Sequence, residues 1–193
     1  MVLLVAGLII FLGVHSTRII ADGWRTRTIQ RVGALPWKGV FALLSLLGFV
    51  ILVMGFRQAR AESMVLYTTP AWMKHVTAVL MMFAMVLFVS AYVPRNWFKA
   101  RWHHPQVLSV KVWAVAHLLA VGVLADVVLF GALLAWAVVS FAAARRRDRA
   151  RGTVYAPANA IGTSIAVALG LVAWSVFALL LHGPLIGVRP LGY

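Results

Sequence analysis

PQVLSVKVWAVAHLLAVGVLADVVLFGALLAWAVVSFAAA, residues 105–144, carries only two charged side chains, Lys111 and Asp126, in forty positions. As one α-helix it would be about 60 Å long, twice the hydrocarbon thickness of a bilayer. Nothing polar divides it, but Gly122 offers a break near its middle. The stretch therefore reads as two spans, Pro105–Leu119 and Val123–Ala144, joined in a tight helical hairpin. Read this way the chain has six spans; read as one helix, it has five.

The other spans lie on either side. Val2–Ile20 comes first, and no basic segment precedes it and no small-residue cleavage pattern follows, so it is expected to remain as a span. Pro36–Phe56 opens on a proline, tolerated at a helix start. Trp72–Val93 is closed by Pro94, and Ile161–Leu181 is expected to end at Gly183–Pro184. Gly162, Ala166 and Gly170, four apart, predict a small-residue packing seam. Of 193 residues 63% are hydrophobic and 11% charged, with mean hydropathy +0.95; globular domains run about 45–50% and about 25%. The fold class is thus an all-α polytopic transmembrane bundle, a single domain over residues 1–193.

The net charge of +14 reads as topology. Thirteen of the eighteen Lys and Arg fall in three segments: Arg18, Arg25, Arg27, Arg31 and Lys38; Arg95, Lys99 and Arg101; Arg145, Arg146, Arg147, Arg149 and Arg151. With six spans these share one side, which the positive-inside rule makes cytoplasmic, leaving both termini outside. Basic residues confined to short loops argue against nucleic acid as partner and for anionic lipid headgroups. The absence of Cys excludes disulfides, thiolate metal sites and c-type haem attachment.

Ionisable groups within spans are costly and call for partners. His15, Lys111, His117 and Asp126 are the set; His75, His103, His104 and His182 lie near span ends, where water or headgroups can reach them. His15, Arg18, Asp22 and Arg25 share a helical stripe on which Arg18 and Asp22 can pair. Gly13 leaves space beside the imidazole. Gln106, Val110, Trp113 and His117 share another face. A turn at Gly122 sets Asp126 within one residue of the depth of His117, where a carboxylate can orient an imidazole; a plain Asp–His bond that holds the hairpin is the alternative. Lys111 either snorkels to the interface or meets an anionic group. Two neutral histidines in an acid-poor, Cys-free bundle suit the axial positions of haem b, with Arg18, Arg25 and Arg101 as candidates for its propionates. Bundle histidines that serve a transporter are the competing reading.

Phe11-Leu12-Gly13-Val14-His15-Ser16 with Arg18, and His104-Pro105-Gln106 with Trp113 and His117, resemble the NnrU family over essentially the whole chain. The resemblance implies a bacterial inner-membrane, multi-pass protein linked to denitrification through nitrite and nitric oxide reductases. It also implies similarity to 15-cis-zeta-carotene isomerase, a haem b enzyme that acts on a cis double bond of an apolar polyene. By motif, His15 and His117 become iron ligands, and His104 an alternate ligand or propionate partner. Counted along their spans, His15 and His117 differ in depth by about 10–13 Å. An extended first helix or a shifted fourth would level them; otherwise His15 pairs with His104, or the protein supplies one ligand. Two further functions stand beside these. Arg101-Trp102-His103-His104-Pro105 also resembles the Arg-His-Pro segment of membrane methyltransferases that use S-adenosylmethionine. A non-catalytic haem carrier or assembly factor would use the same histidines.

Overall fold

The computed structural model describes residues 1–190. They form α1 (Val2–Ile20), α2 (Asp22–Val32), α3 (Ala34–Ala61), α4 (Met73–Ser90), α5 (Trp97–Trp102), α6 (Pro105–Ala120), α7 (Leu124–Arg151), α8 (Ala160–Val176) and α9 (His182–Ile186), with a π-turn at Phe177–Leu181. No strand occurs among the described residues, only an isolated bridge between Val65 and Val123. Five stretches are long and apolar enough to cross a membrane: α1, α3, α4, α7, and the run Ala160–Ile186. The apolar α6 is shorter, 16 residues or about 24 Å. The chain is a multi-pass membrane protein with five long spans and a short sixth helix.

The residues fall into two compact units, one of Met1–Thr68 and Gly122–Ser140, the other of Thr69–Val121 and the chain from Phe141 on. In the first unit α1 and α3 pack antiparallel. Gly48 lies so close to α1 that a Cβ there would sit 2.8 Å from the Phe11 nitrogen, and Gly7 and Gly55 leave equal room for Leu52 and Leu4. The α3 stripe Phe41, Ser45, Gly48, Leu52, Gly55 and Ala59 alternates steps of four and three, the seam of a left-handed helix pair. Leu4, Leu8, Phe11 and His15 form the facing stripe on α1.

The expected break between the fourth and fifth spans falls at 121–123. Val121 is extended at φ −131°, ψ 137°. The segment after α3 clamps the Gly122 side of the break: the Gly122 carbonyl accepts from Leu66 and Tyr67, while Met64 O and Ser63 Oγ receive the Leu124 and Ala125 N–H groups. These bonds satisfy donors that a helix start leaves unpaired. A Cβ on Gly122 would collide with the Tyr67 carbonyl.

In the second unit α4 packs against α6 and α8. The predicted seam on α8 is present: Gly162 abuts the Pro94 and Arg95 carbonyls, Ala166 is fully buried and Gly170 abuts Val86. Asn96, also fully buried, ties the corner after α4, its Nδ2 donating to the Ser90 and Val93 carbonyls and its Oδ1 capping α5 at Lys99.

Three expectations are corrected. The last span does not end at Gly183–Pro184; helix continues to Ile186 and stops at Gly187, φ +83°. Pro184 lacks an N–H and crowds the carbonyl four residues earlier, and the π-turn just before it widens the helix there. Segments 18–38 and 94–104 are not plain loops, because α2 and α5 occupy much of them. The arginine segment 145–151, also read as a loop, is helical, because α7 runs through it to Arg151.

Candidate functional site

His15 lies on the α1 stripe of the first unit. Its Nδ1 is 2.7 Å from the Phe11 carbonyl oxygen, four residues back. A carbonyl only accepts, so Nδ1 carries the hydrogen and the neutral ring presents its lone pair at Nε2. Around the imidazole stand Phe11 at 4.3 Å, Phe41 at 5.1 Å and Trp136 at 6.1 Å between ring centroids. Two polar atoms of this unit, Ser45 Oγ and Trp136 Nε1, are buried without hydrogen-bond partners. Ser45 is on the α3 stripe one turn from Phe41, and Trp136 edges the His15 ring. Buried unsatisfied polar atoms are rare. Beside Gly13, nothing lies within 4 Å of where a Cβ would stand.

His117, in the second unit, has the same local geometry. Its Nδ1 is 2.9 Å from the Trp113 carbonyl, again four residues back, and the Trp113 ring lies 5.1 Å away. This tautomer too places the lone pair at Nε2. A metal-ligating histidine commonly donates its other ring N–H to a carbonyl or carboxylate in this way. Each histidine, taken in its own unit, thus has the donor chemistry of an iron ligand; α1 ends at Ile20 and α6 runs Pro105–Ala120, so neither the extended first helix nor the shifted fourth that would level the two is present. No group of three or more His, Cys, Asp or Glu suited to a metal ion occurs among the described residues.

The other sequence-predicted residues divide between the units. Arg18 and Asp22 form the expected pair, loosely, at 3.9 Å. Arg25 stacks over Trp37 at 5.9 Å. The stripe that joins these to His15 is interrupted at Ala21, where α1 ends and α2 begins. Asp126, 2% exposed, has a partner that sequence reading missed: Arg60 Nε approaches its two oxygens at 3.3 and 3.4 Å. Burial, and then the Asp126 charge, raise the Tyr67 hydroxyl above its usual pKa. Lys111 lies over the Phe141 ring at 4.1 Å, a cation–π contact.

The histidines near the α5–α6 corner are not simply solvated. His104 Nε2 is 2.8 Å from Asp148 Oδ2, which also accepts from the Tyr155 hydroxyl at 3.0 Å. His103 stacks on Tyr155 at 4.1 Å and brings Nδ1 within 3.7 Å of the same oxygen. Burial, then the Asp148 hydrogen bond and charge, push the Tyr155 hydroxyl up to about 12. Burial and the Arg145 charge hold the His103 imidazole below its usual range, with Asp148 opposing them in part. His104 is thus held as a donor to a carboxylate through Nε2. Nothing local in the sequence signals a pair 44 residues apart.

A family model described as NnrU protein matches residues 3–190 of the chain. Neither a curated protein nor a solved structure matches it.

Proposed function

The chain belongs to the NnrU family, and from that premise we propose that it is a haem b-binding protein of the bacterial inner membrane, with both termini outside. The observation that carries this reading is the shared geometry of His15 and His117: each Nδ1 is tied to the carbonyl four residues back, so each Nε2 is the nitrogen that would ligate iron. The carbonyl bond fixes the tautomer, limits rotation about χ2 and makes the ring a better donor. Phe11, Phe41 and Trp136 stand around the His15 ring, and Trp113 beside that of His117. Arg18, Arg25 and, where no other anion engages it, Arg101 are the candidates for the propionates. Haem would supply a redox-variable iron, and the isomerase reading requires one of the two histidines to give up its place to an unsaturated ligand.

The aromatic rings around His15 suit an apolar polyene, and in an isomerase the protein would contribute position and exclusion of water. The accessory role in denitrification uses the same histidines. An optical spectrum of the full chain, purified in detergent after haem supply during expression, tests the haem reading. A Soret band that shifts on reduction is expected, and its absence would overturn the proposal. Turnover of several cis-polyenes by that preparation then separates the roles. Turnover supports the isomerase; none, with loss of nitric oxide reductase activity in a deletion strain, assigns the accessory role.

A further inference from the structure

The second unit holds an open cleft of about 390 Å³. Leu87, Leu108, Val112 and Phe141 are among its apolar walls, and Arg101 and Arg145 bring two guanidinium groups to it. The Nη1 atom of Arg145 is buried and has no acceptor. No ion pair joins it to Asp148, one turn further along α7, whose Oδ2 receives His104 and Tyr155. Lys111, over the Phe141 ring, adds a further positive charge at the same wall. A chain with four acids and eighteen Lys and Arg has little with which to balance this cluster. An unpaired, partly buried cation is costly, and an anion from outside the chain would relieve it.

We propose that this cleft binds one anionic phospholipid, its phosphate on Arg145 and Arg101 and the start of an acyl chain along Leu87, Leu108 and Val112. Three features point to a lipid. The walls are apolar, as a soluble phosphate would not require. The helices that form them belong to a membrane protein. Arg145 stands where α7 passes from its apolar run into the arginine run, the depth of lipid headgroups. A guanidinium matches phosphate oxygens with two parallel donors. The proposal does not rest on haem binding.

Native mass spectrometry of the detergent-solubilised full chain, titrated with dioleoylphosphatidylglycerol, dioleoylphosphatidylcholine or inorganic phosphate, tests it. One phosphatidylglycerol adduct is expected, held about tenfold more tightly than phosphatidylcholine. Arg145→Gln should reduce it to the phosphatidylcholine level, while Arg149→Gln, an exposed residue of the same run, leaves it unchanged. Val112→Phe should weaken it with Arg145 intact, and carries the test if Arg145→Gln fails to fold. Equal binding of the two lipids, or an undiminished adduct in both Arg145→Gln and Val112→Phe, would overturn the proposal. Displacement of the lipid by an equal concentration of inorganic phosphate would assign the cleft to a free anion instead. Loss of the Soret band in Arg145→Gln with phosphatidylglycerol retained would make Arg145 a propionate partner and also overturn it.

Discussion

At the residue scale, the α5–α6 corner shows how strain and charge are balanced. His103 has φ +73° and ψ −62°, and the His104 N–H reaches the Trp102 carbonyl at 3.0 Å. This is the γ-turn with positive φ, the rarer and more strained kind. It persists because the groups it directs are held from several sides: His103 stacks on Tyr155, and His104 and Tyr155 converge on Asp148. Tyr155 makes the corner sensitive to alkali. Its hydroxyl ionises near 10.0 in the unfolded chain and at about 12 in the folded one. Its contribution to stability is complete below pH 10 and is lost as pH rises toward 12, because only the unfolded chain releases the proton in that interval. The melting-temperature difference between the parent protein and Tyr155→Phe should be constant up to pH 10 and then shrink. A difference that holds or grows above pH 10 would contradict this assignment.

At the element scale, glycine spacing governs how closely helices approach, and it also governs the His15 site. The antiparallel register that puts Leu4 on Gly55 and Phe11 on Gly48 brings His15 level with Phe41 and Ser45. Gly48→Val should push α1 from α3, lower stability by about 1–3 kcal/mol as overpacking does, and displace His15 from Phe41. Thermal unfolding in detergent measures the first effect, and haem content the second; a variant with unchanged melting temperature would show that the seam is not close-packed. Long apolar runs were legible in the sequence: Val2–Ile20 was expected with the bounds observed, and the Gly122 break falls where a forty-residue helix could not fit a bilayer. The α8 seam was legible for the same reason, since small residues four apart have few other uses in a span. The polar α2 and the six-residue α5 were not, because a search for long apolar runs passes over helices of another composition or length. The last span was misjudged because proline was read as a stop, whereas the π-turn accommodates it. At the site, His15 and His117 stood out as imidazoles within apolar spans, but their tautomers depend on carbonyls that only a folded helix places. Arg60–Asp126 and His104–Asp148 join residues 66 and 44 positions apart, a separation that sequence pattern does not bridge.

At the scale of the whole molecule, the net charge of +14 becomes an orientation. Counting α6 as a crossing, the positive-inside rule predicts that the arginine-rich segments share the cytoplasmic side and that Glu62 lies outside. The natural absence of Cys makes this directly measurable with single cysteines and a membrane-impermeant maleimide in intact cells. Glu62→Cys should label, and Arg147→Cys should label only after permeabilisation; labelling of both in intact cells would contradict the orientation. The central proposal is that His15 and His117 are iron ligands of haem b, and electron paramagnetic resonance of the purified, oxidised protein tests it most directly. The parent protein should give the low-spin signal of two nitrogen ligands, and His15→Ala and His117→Ala should each replace it with a high-spin signal or abolish it. An unchanged low-spin signal in either variant would contradict the claim.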